Sequence, residues 1–355
     1  MEVLAQTLKF AVSAIAPEKW LVVGTRPGTL WLASSQPVFV RCEMPVEHDM
    51  PDISVAVPAS VVVPLVDMMS CTVAISFKLS ENEVEFQFGR TRAAVKCVPR
   101  TLDFPAYSGS AGRVLSAKEL ANALGIMRFV NRSDSPLGGV LFESDDSIVR
   151  MVCTDSYRLT ATTVQATQWE GRMRITVPIA ATQLWRKICR LHAHDEQVSA
   201  TLLVGSKCAA LELWHDQVRT VAATELLGEY PDVTRFLNQT PLAEATVAYQ
   251  ELSHAIKMAA TVEGTVTMQG KFPDEGGEGT LTISSSSVVT GGDATATIAG
   301  SGRGQFEVHL DPHFLVDALS VFKKGDLAIQ CRTEIEPVVL SQGDVTHVVM
   351  PLILR

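Results

Sequence analysis

One plan recurs three times along this 355-residue chain, and it constrains the fold more than any single motif. Each copy opens with apolar residues at helical spacing: Leu4, Leu8, Ala11, Val12 and Ile15; Leu120, Ala123, Leu124 and Met127; Leu252, Ala255, Ile256 and Ala259. Apolar positions three to four residues apart form one face of an amphipathic helix. Each copy later reaches a strand-like run that ends at proline: Val55-Ala56-Val57-Pro58, Ile175-Thr176-Val177-Pro178 and Val308-His309-Leu310-Asp311-Pro312. Proline in a first helical turn sacrifices no hydrogen bond, so a second helix is predicted to open at each. The intervals from first-helix leucine to proline are 54, 58 and 60 residues. The spacing predicts helices over 2–16, 58–70, 116–131, 178–194, 249–263 and 311–324, and three domains at 1–113, 114–243 and 244–355.

Between the helices the chain alternates as strands do. Val73, Ile75, Phe77 and Leu79 form one such run, and Val84, Phe86 and Phe88 another. Gly139–Glu143 and Ile148–Val152 flank the polar Ser144-Asp145-Asp146-Ser147, which reads as a β-hairpin. This hairpin delivers Thr154-Asp155-Ser156-Tyr157-Arg158-Leu159 at the end of its second strand. The Gly/Ser/Thr-rich stretch from Gly276 to Gly304 has the composition of a linker. Its place in the repeat instead predicts strands, with Thr280–Ile283 and Ala294–Ile298 as candidates.

Hydrophobic residues make up 46% of the chain and charged ones 19%, which describes a folded protein. No apolar run approaches the ~20 residues of a membrane helix, and the first residues lack a basic signal-like segment, so a cytoplasmic protein is expected. Seven scattered cysteines without a Cys-x-x-Cys pair predict buried thiols, with neither zinc nor disulfides. The net charge of −9 excludes a generally basic nucleic-acid coat but leaves room for a local basic surface. Such a surface is present in the pattern: the six helical segments together are slightly positive, so the negative charge lies outside them. Arg186, Lys187 and Arg190 carry most of that positive charge. At ~100° per residue, Arg186 and Arg190 fall opposite Leu184, Ile188 and Leu191.

Several segments, in order, resemble the bacterial DNA polymerase III beta subunit, the sliding clamp. Gly89-Arg90-Thr91-Arg92 with Pro99 and Asp103-Phe104-Pro105 is similar to the end of that family's first domain. Thr154-Asp155-Ser156-Tyr157-Arg158-Leu159 resembles its Thr-Asp-Gly-His-Arg-Leu. Gly228-Glu229-Tyr230-Pro231-Asp232 with Arg235 resembles Gly-x-Phe-Pro-Asp-Tyr-x-Arg, and Phe314–Leu319 resembles the second helix of its third domain. Val348-Val349-Met350-Pro351-Leu352 matches its C-terminal segment.

The resemblance implies an α+β fold of three clamp domains, each with two helices on an inner face and antiparallel sheets outside. Two protomers would close head to tail into a ring around duplex DNA. It implies a non-catalytic processivity factor without cofactor or metal. Its partners would be DNA read without sequence preference, the polymerase III catalytic subunit, the clamp loader, and other polymerases and repair proteins. These proteins carry a peptide of the Gln-Leu-x-Leu-Phe type. Carried over residue by residue, the peptide pocket comprises Leu137, Thr154, Ser156, Tyr157, Arg158, Leu159, Pro231, Arg235, Phe236, Ile335, Pro337, Val348, Val349, Met350, Pro351 and Leu352. Arg132, Arg186, Lys187 and Arg190 would face DNA, and Thr261 and Val262 would lie at the dimer interface. The alternative is a clamp-like hub or decoy that binds replication proteins without encircling DNA.

The chain departs from the family pattern in places. Ser156-Tyr157 stands for Gly-His, and Phe236 for a smaller aliphatic residue. The tail Leu352-Ile353-Leu354-Arg355 lacks the usual Arg after the Pro-x pair. Enzymatic readings have little support. No Gly-x-Ser-x-Gly elbow surrounds Ser156, and Gly300-Ser301-Gly302-Arg303-Gly304 lacks the Gly-Lys-Ser/Thr of a phosphate loop. His192, His194 and Asp195 read as a polar loop, not as a metal site.

Overall fold

The computed structural model describes residues 2–15, 19–35, 38–48, 50–70, 72–105, 112–131, 135–168, 171–192, 195–262, 264–287 and 291–353. The chain forms two compact units. Unit 1 comprises 1–125, 143–149 and 164–227; unit 2 comprises 126–142, 150–163 and 228–355.

The threefold plan is visible in the order of elements. A short strand leads straight into the first helix of each copy: Glu2–Leu4 into Ala5–Ile15, Arg113–Ser116 into Ala117–Ile126, and Ala243–Ala248 into Tyr249–Ala260. Leu4 therefore lies on a strand paired with Ala74, and it is exposed, not on the helical stripe. Leu8, Ala11, Val12 and Ile15 are buried as the periodicity requires. The second helices are Ala59–Met68, Ile179–Arg190 and Pro312–Leu319. Only Pro312 occupies the first helical turn, with Asp311 accepting from the His313 N–H as cap. Pro58 and Pro178 sit one position earlier, at the N-cap, in extended conformation. There the strand runs right up to the helix, and the fixed φ of proline suits its last residue.

In unit 1 antiparallel pairing is continuous from Val98–Pro99 through Ser54–Pro58, Trp20–Arg26, Thr29–Ser34 and Phe39–Pro45. Phe39–Pro45 pairs with Val218–Glu225, which joins first-copy strands to the second-copy strands Cys208–His215, Ser199–Val204 and Arg113–Ser116. A separate four-stranded sheet holds Glu2–Leu4, Ala74–Leu79, Glu83–Phe88 and Thr91–Lys96. Its alternation buries Ile75, Phe77, Leu79, Val84 and Phe86.

Unit 2 repeats the arrangement. The first residues of Arg158–Gln168 pair with Val345–Val349, so second-copy and third-copy strands again share a sheet. Pairing continues through Val338–Gln342, Asp326–Cys331, Ala243–Ala248, Gly292–Arg303, Gly277–Ser287, Val266–Lys271 and Gln305–Leu310. The Gly/Ser/Thr-rich stretch is thus a long hairpin. Gly300 and Gly302 are required by close approach: a Cβ there would stand 2.5 Å from Thr246 O and 2.2 Å from Glu244 O.

Candidate functional site

The site is built in unit 2 around the turn that follows the Ile148–Thr154 strand. Four short-range hydrogen bonds fix this turn. The Thr154 hydroxyl donates to Arg158 O at 2.6 Å and accepts from the Ser156 N–H at 3.1 Å. Asp155 Oδ1 accepts from the N–H groups of Tyr157 (3.1 Å) and Arg158 (3.0 Å). A small hydroxyl four residues and a carboxylate three residues before the next strand are what such a turn uses. Ser156 takes φ 80°, the left-handed region where glycine is at ease. The position that resembles a family glycine therefore keeps a glycine-like backbone while carrying a side chain.

Arg158 is a structural brace. Its Nε donates to Asp155 Oδ2 at 2.8 Å, and Nη1 pairs with Asp317 Oδ2 on the Pro312–Leu319 helix. The guanidinium lies over the rings of Phe129 (4.3 Å) and Phe314 (4.8 Å). Phe129 in turn meets His347 edge-on. His347 is fully buried, its Nδ1 2.8 Å from the Thr160 hydroxyl. Burial, and then the Arg158 charge, depress its pKa to about 3, so it is neutral in the folded chain. Tyr230 is also buried, and burial raises its phenol pKa.

These residues surround a cavity of about 250 Å³. Its base is the cluster of Leu141, Val152, Leu159, Ala161, Tyr230, Val233, Val339 and Val348, with Leu137 and Phe236 packed against it. Leu137, Thr154, Ser156, Tyr157, Arg158, Leu159, Pro231, Arg235, Phe236, Val348 and Met350 line the cavity. Asp232 and Val233, which the sequence reading passed over, line it too. They lie between Pro231 and Arg235 and are carried in by the same turn. Arg235 stacks over Phe236 at 4.5 Å and makes no ion pair among the described residues.

Ile335, Pro337, Val349, Pro351 and Leu352 do not line the cavity. Val349 is excluded by strand alternation: it is buried and faces away from the side shared by Val348 and Met350. Ile335 is exposed, and the Leu352 N–H donates to His309 O, which ties the tail to the Gln305–Leu310 strand.

The remaining candidates fall elsewhere. In unit 1, Lys187 and Arg190 are exposed on the Ile179–Arg190 helix, whereas Arg186 is half-buried against Gly125. The helix buries Ala181, Thr182, Trp185, Ile188 and Cys189. Leu191 is exposed and Leu184 only half-buried, so the predicted stripe is rotated. Trp185 sets the rotation, being fully buried with its indole N–H donated to Ala222 O at 3.0 Å. Arg132 lies outside the described residues. In unit 2, Thr261 is exposed at the end of the Tyr249–Ala260 helix, but Val262 is 9% exposed and packs within the unit.

His192 is not in a polar loop. It is 3% exposed, its ring 5.1 Å from Phe10 and 4.9 Å from His215, and burial lowers its pKa to about 4. Among the described residues no group of three His, Cys, Asp or Glu could hold a metal. No described helix is long and apolar enough to cross a membrane.

No family model matches the sequence, and neither does any curated protein. Solved structures match over the whole length. A DNA polymerase sliding clamp from Pseudomonas aeruginosa is 18% identical, with TM-score 0.83 over 100% of this chain and 99% of that one. The sliding clamp from Bacillus subtilis is 17% identical with TM-score 0.81, and the DNA polymerase III beta subunit from Thermotoga maritima is 15% identical with TM-score 0.82. Coverage for these two is also 100% of this chain and 99% of the other. The chain has the sliding-clamp fold.

Proposed function

We propose that this chain is a divergent sliding clamp: a non-catalytic processivity factor whose protomers pair into a ring around duplex DNA. The observation that carries the reading is the correspondence of all three repeats, end to end, with bacterial clamps. In this reading the repeats are the domains 1–113, 114–243 and 244–355. Lys187 and Arg190, exposed on one helix, meet phosphates without reading bases, and Arg186 supports them from a half-buried position.

The cavity in unit 2 then serves as the docking point for an extended peptide from a replicative polymerase, the clamp loader or a repair protein. Its chemistry supports that role. The walls are apolar, and the turn that shapes them is held by its own hydrogen bonds before any ligand arrives. Arg158 is fully engaged as a brace, so the cation left for the peptide is Arg235. The partnership is expected to be cytoplasmic and to need no cofactor.

Assembly is the first test. Sedimentation equilibrium should give a species of twice the 38.4 kDa chain mass. Thr261→Arg is the better interface probe than a change at Val262, because Thr261 is exposed and its replacement spares the core. A stable monomer at high micromolar concentration would favour the hub that does not encircle DNA.

A further inference from the structure

Unit 1 carries a cavity of its own, about 360 Å³ in volume, where first-copy strands pair with second-copy strands. The first copy supplies Arg26, Glu43, Met44 and Pro45, and the second supplies Trp214 and Arg219. Its volume is that of a small-molecule site. Trp214 is 56% exposed, although tryptophan is highly buried on average. The ring is nonetheless held, its indole N–H donated to Glu212 Oε1 at 3.0 Å. An open indole face fixed in place is a platform on which a flat ring can stack.

The charges beside this face are unevenly shared. Glu43 pairs with three arginines, Arg26 at 2.9 Å, Arg41 at 3.0 Å and Arg219 at 3.2 Å. Arg219 is tied a second time, to Glu212 at 2.8 Å, and Arg41 lies over the Trp31 ring. Arg26 is the loosest of the three, with its side chain 46% exposed. Glu43 would keep two arginines if Arg26 turned to another anion. Asp216 also lines the cavity, but its carboxylate is solvated and stands 3.8 Å from His215. A releasable guanidinium beside a stacking ring matches the two parts of a nucleotide, a charged phosphate and a flat base. An extended peptide is the poorer match. Phe39–Pro45 and Val218–Glu225 are each paired on both sides, so neither offers an open edge to a peptide backbone.

We propose that this cavity is a nucleotide site, in which the base stacks on Trp214 and the phosphate takes Arg26. The ligand is a free nucleotide or one nucleotide of a single strand, and the site does not depend on the clamp reading.

The test uses the full chain, a labelled oligothymidylate followed by fluorescence anisotropy, and adenosine monophosphate as competitor. Trp214→Ala should weaken the strand about tenfold, the scale of one base stacked on an aromatic ring, and Trp214→Phe should retain most of the affinity. Arg26→Gln should also weaken it about tenfold and lower its salt dependence by about one phosphate contact. Both side chains are exposed, so the variants should unfold at the wild-type midpoint. Arg26→Gln carries the test alone if Trp214→Ala does not fold. Displacement of the strand by adenosine monophosphate would identify a free nucleotide as sufficient, and its failure to displace would identify the single strand as the ligand. If wild type binds neither, or if Trp214→Ala and Arg26→Gln bind both as wild type does, the site is wrong. Strand binding that is lost only with Lys187→Ala and Arg190→Ala would overturn the cavity site and leave the DNA-facing helix standing. Binding of the acidic peptide Glu-Phe-Glu-Phe through Trp214 and Arg26, with no nucleotide bound, would make the occupant a protein and overturn the nucleotide reading.

Discussion

Replacing Arg158 by Met tests how unit 2 holds its site. The substitution keeps an unbranched stem but removes the charge and the planar fork. Three kinds of contact are lost. The Asp155 pair is well sheltered, with side-chain exposures of 14% and 19%, whereas Asp317 is 48% exposed and its pair is discounted for screening. Stacking over Phe129 and Phe314 adds two cation–π contacts of about 0.5–2 kcal/mol each. Asp155 still accepts the N–H groups of Tyr157 and residue 158, so it is not left as a bare buried charge. Together these place the loss at about 3 kcal/mol, the low end for breaking a buried pair. Arg158→Lys should recover less than half, because a lysine cannot lie flat between two rings. Asp317→Asn should cost about 1 kcal/mol or less. Urea unfolding followed by circular dichroism gives the total, and amide exchange at Val345–Val349 localises it to the paired strand. A loss below about 1 kcal/mol in Arg158→Met, with unchanged exchange there, would refute the brace.

Two further outcomes follow from the same site. Ser156→Gly should stabilise the chain by about 1 kcal/mol in thermal or urea unfolding, because the left-handed φ of 80° costs a side-chain-bearing residue more than glycine's extra chain entropy. His347 has a folded pKa of about 3 against an ordinary 6.5, so the unfolded chain takes up its proton first. The stability from its neutral burial is complete above pH 6.5 and is lost progressively as pH falls toward 3, reaching about 2 kcal/mol by pH 5. His347→Gln should reduce the pH 7-to-5 stability difference by that amount, leaving the share that His192 contributes in the same window.

Much of the fold was legible because repetition and alternation are local signals. The strand-to-proline runs marked where each second helix opens, and alternating apolar residues located Ala74–Leu79 and Glu83–Phe88. The Gly/Ser/Thr stretch became readable as strands only through its place in the repeat. Its own composition is explained by Gly300 and Gly302 lying against another backbone, a contact no local pattern records. Leu4 misled because a strand residue four positions before Leu8 mimics one helical turn. In the site, Thr154–Leu159 and Pro231–Phe236 were readable as segments. The partners that make Arg158 a brace were not, because Phe129, Phe314 and Asp317 reach it from distant parts of the sequence. Val349 was included beside Val348 and Met350 since segment matching ignores the period of two that turns it away.

Topological linkage to DNA is the claim on which the function turns. The protein, loaded on a nicked circular plasmid by a clamp loader and separated from free protein by gel filtration, should stay with the circle through a high-salt wash. Cutting the plasmid once should release it, since a ring slides off an end. Contacts to phosphates alone would be lost in the wash, their affinity falling steeply with salt. Equal retention on cut and uncut plasmid, or loss from both, would contradict the sliding-clamp account.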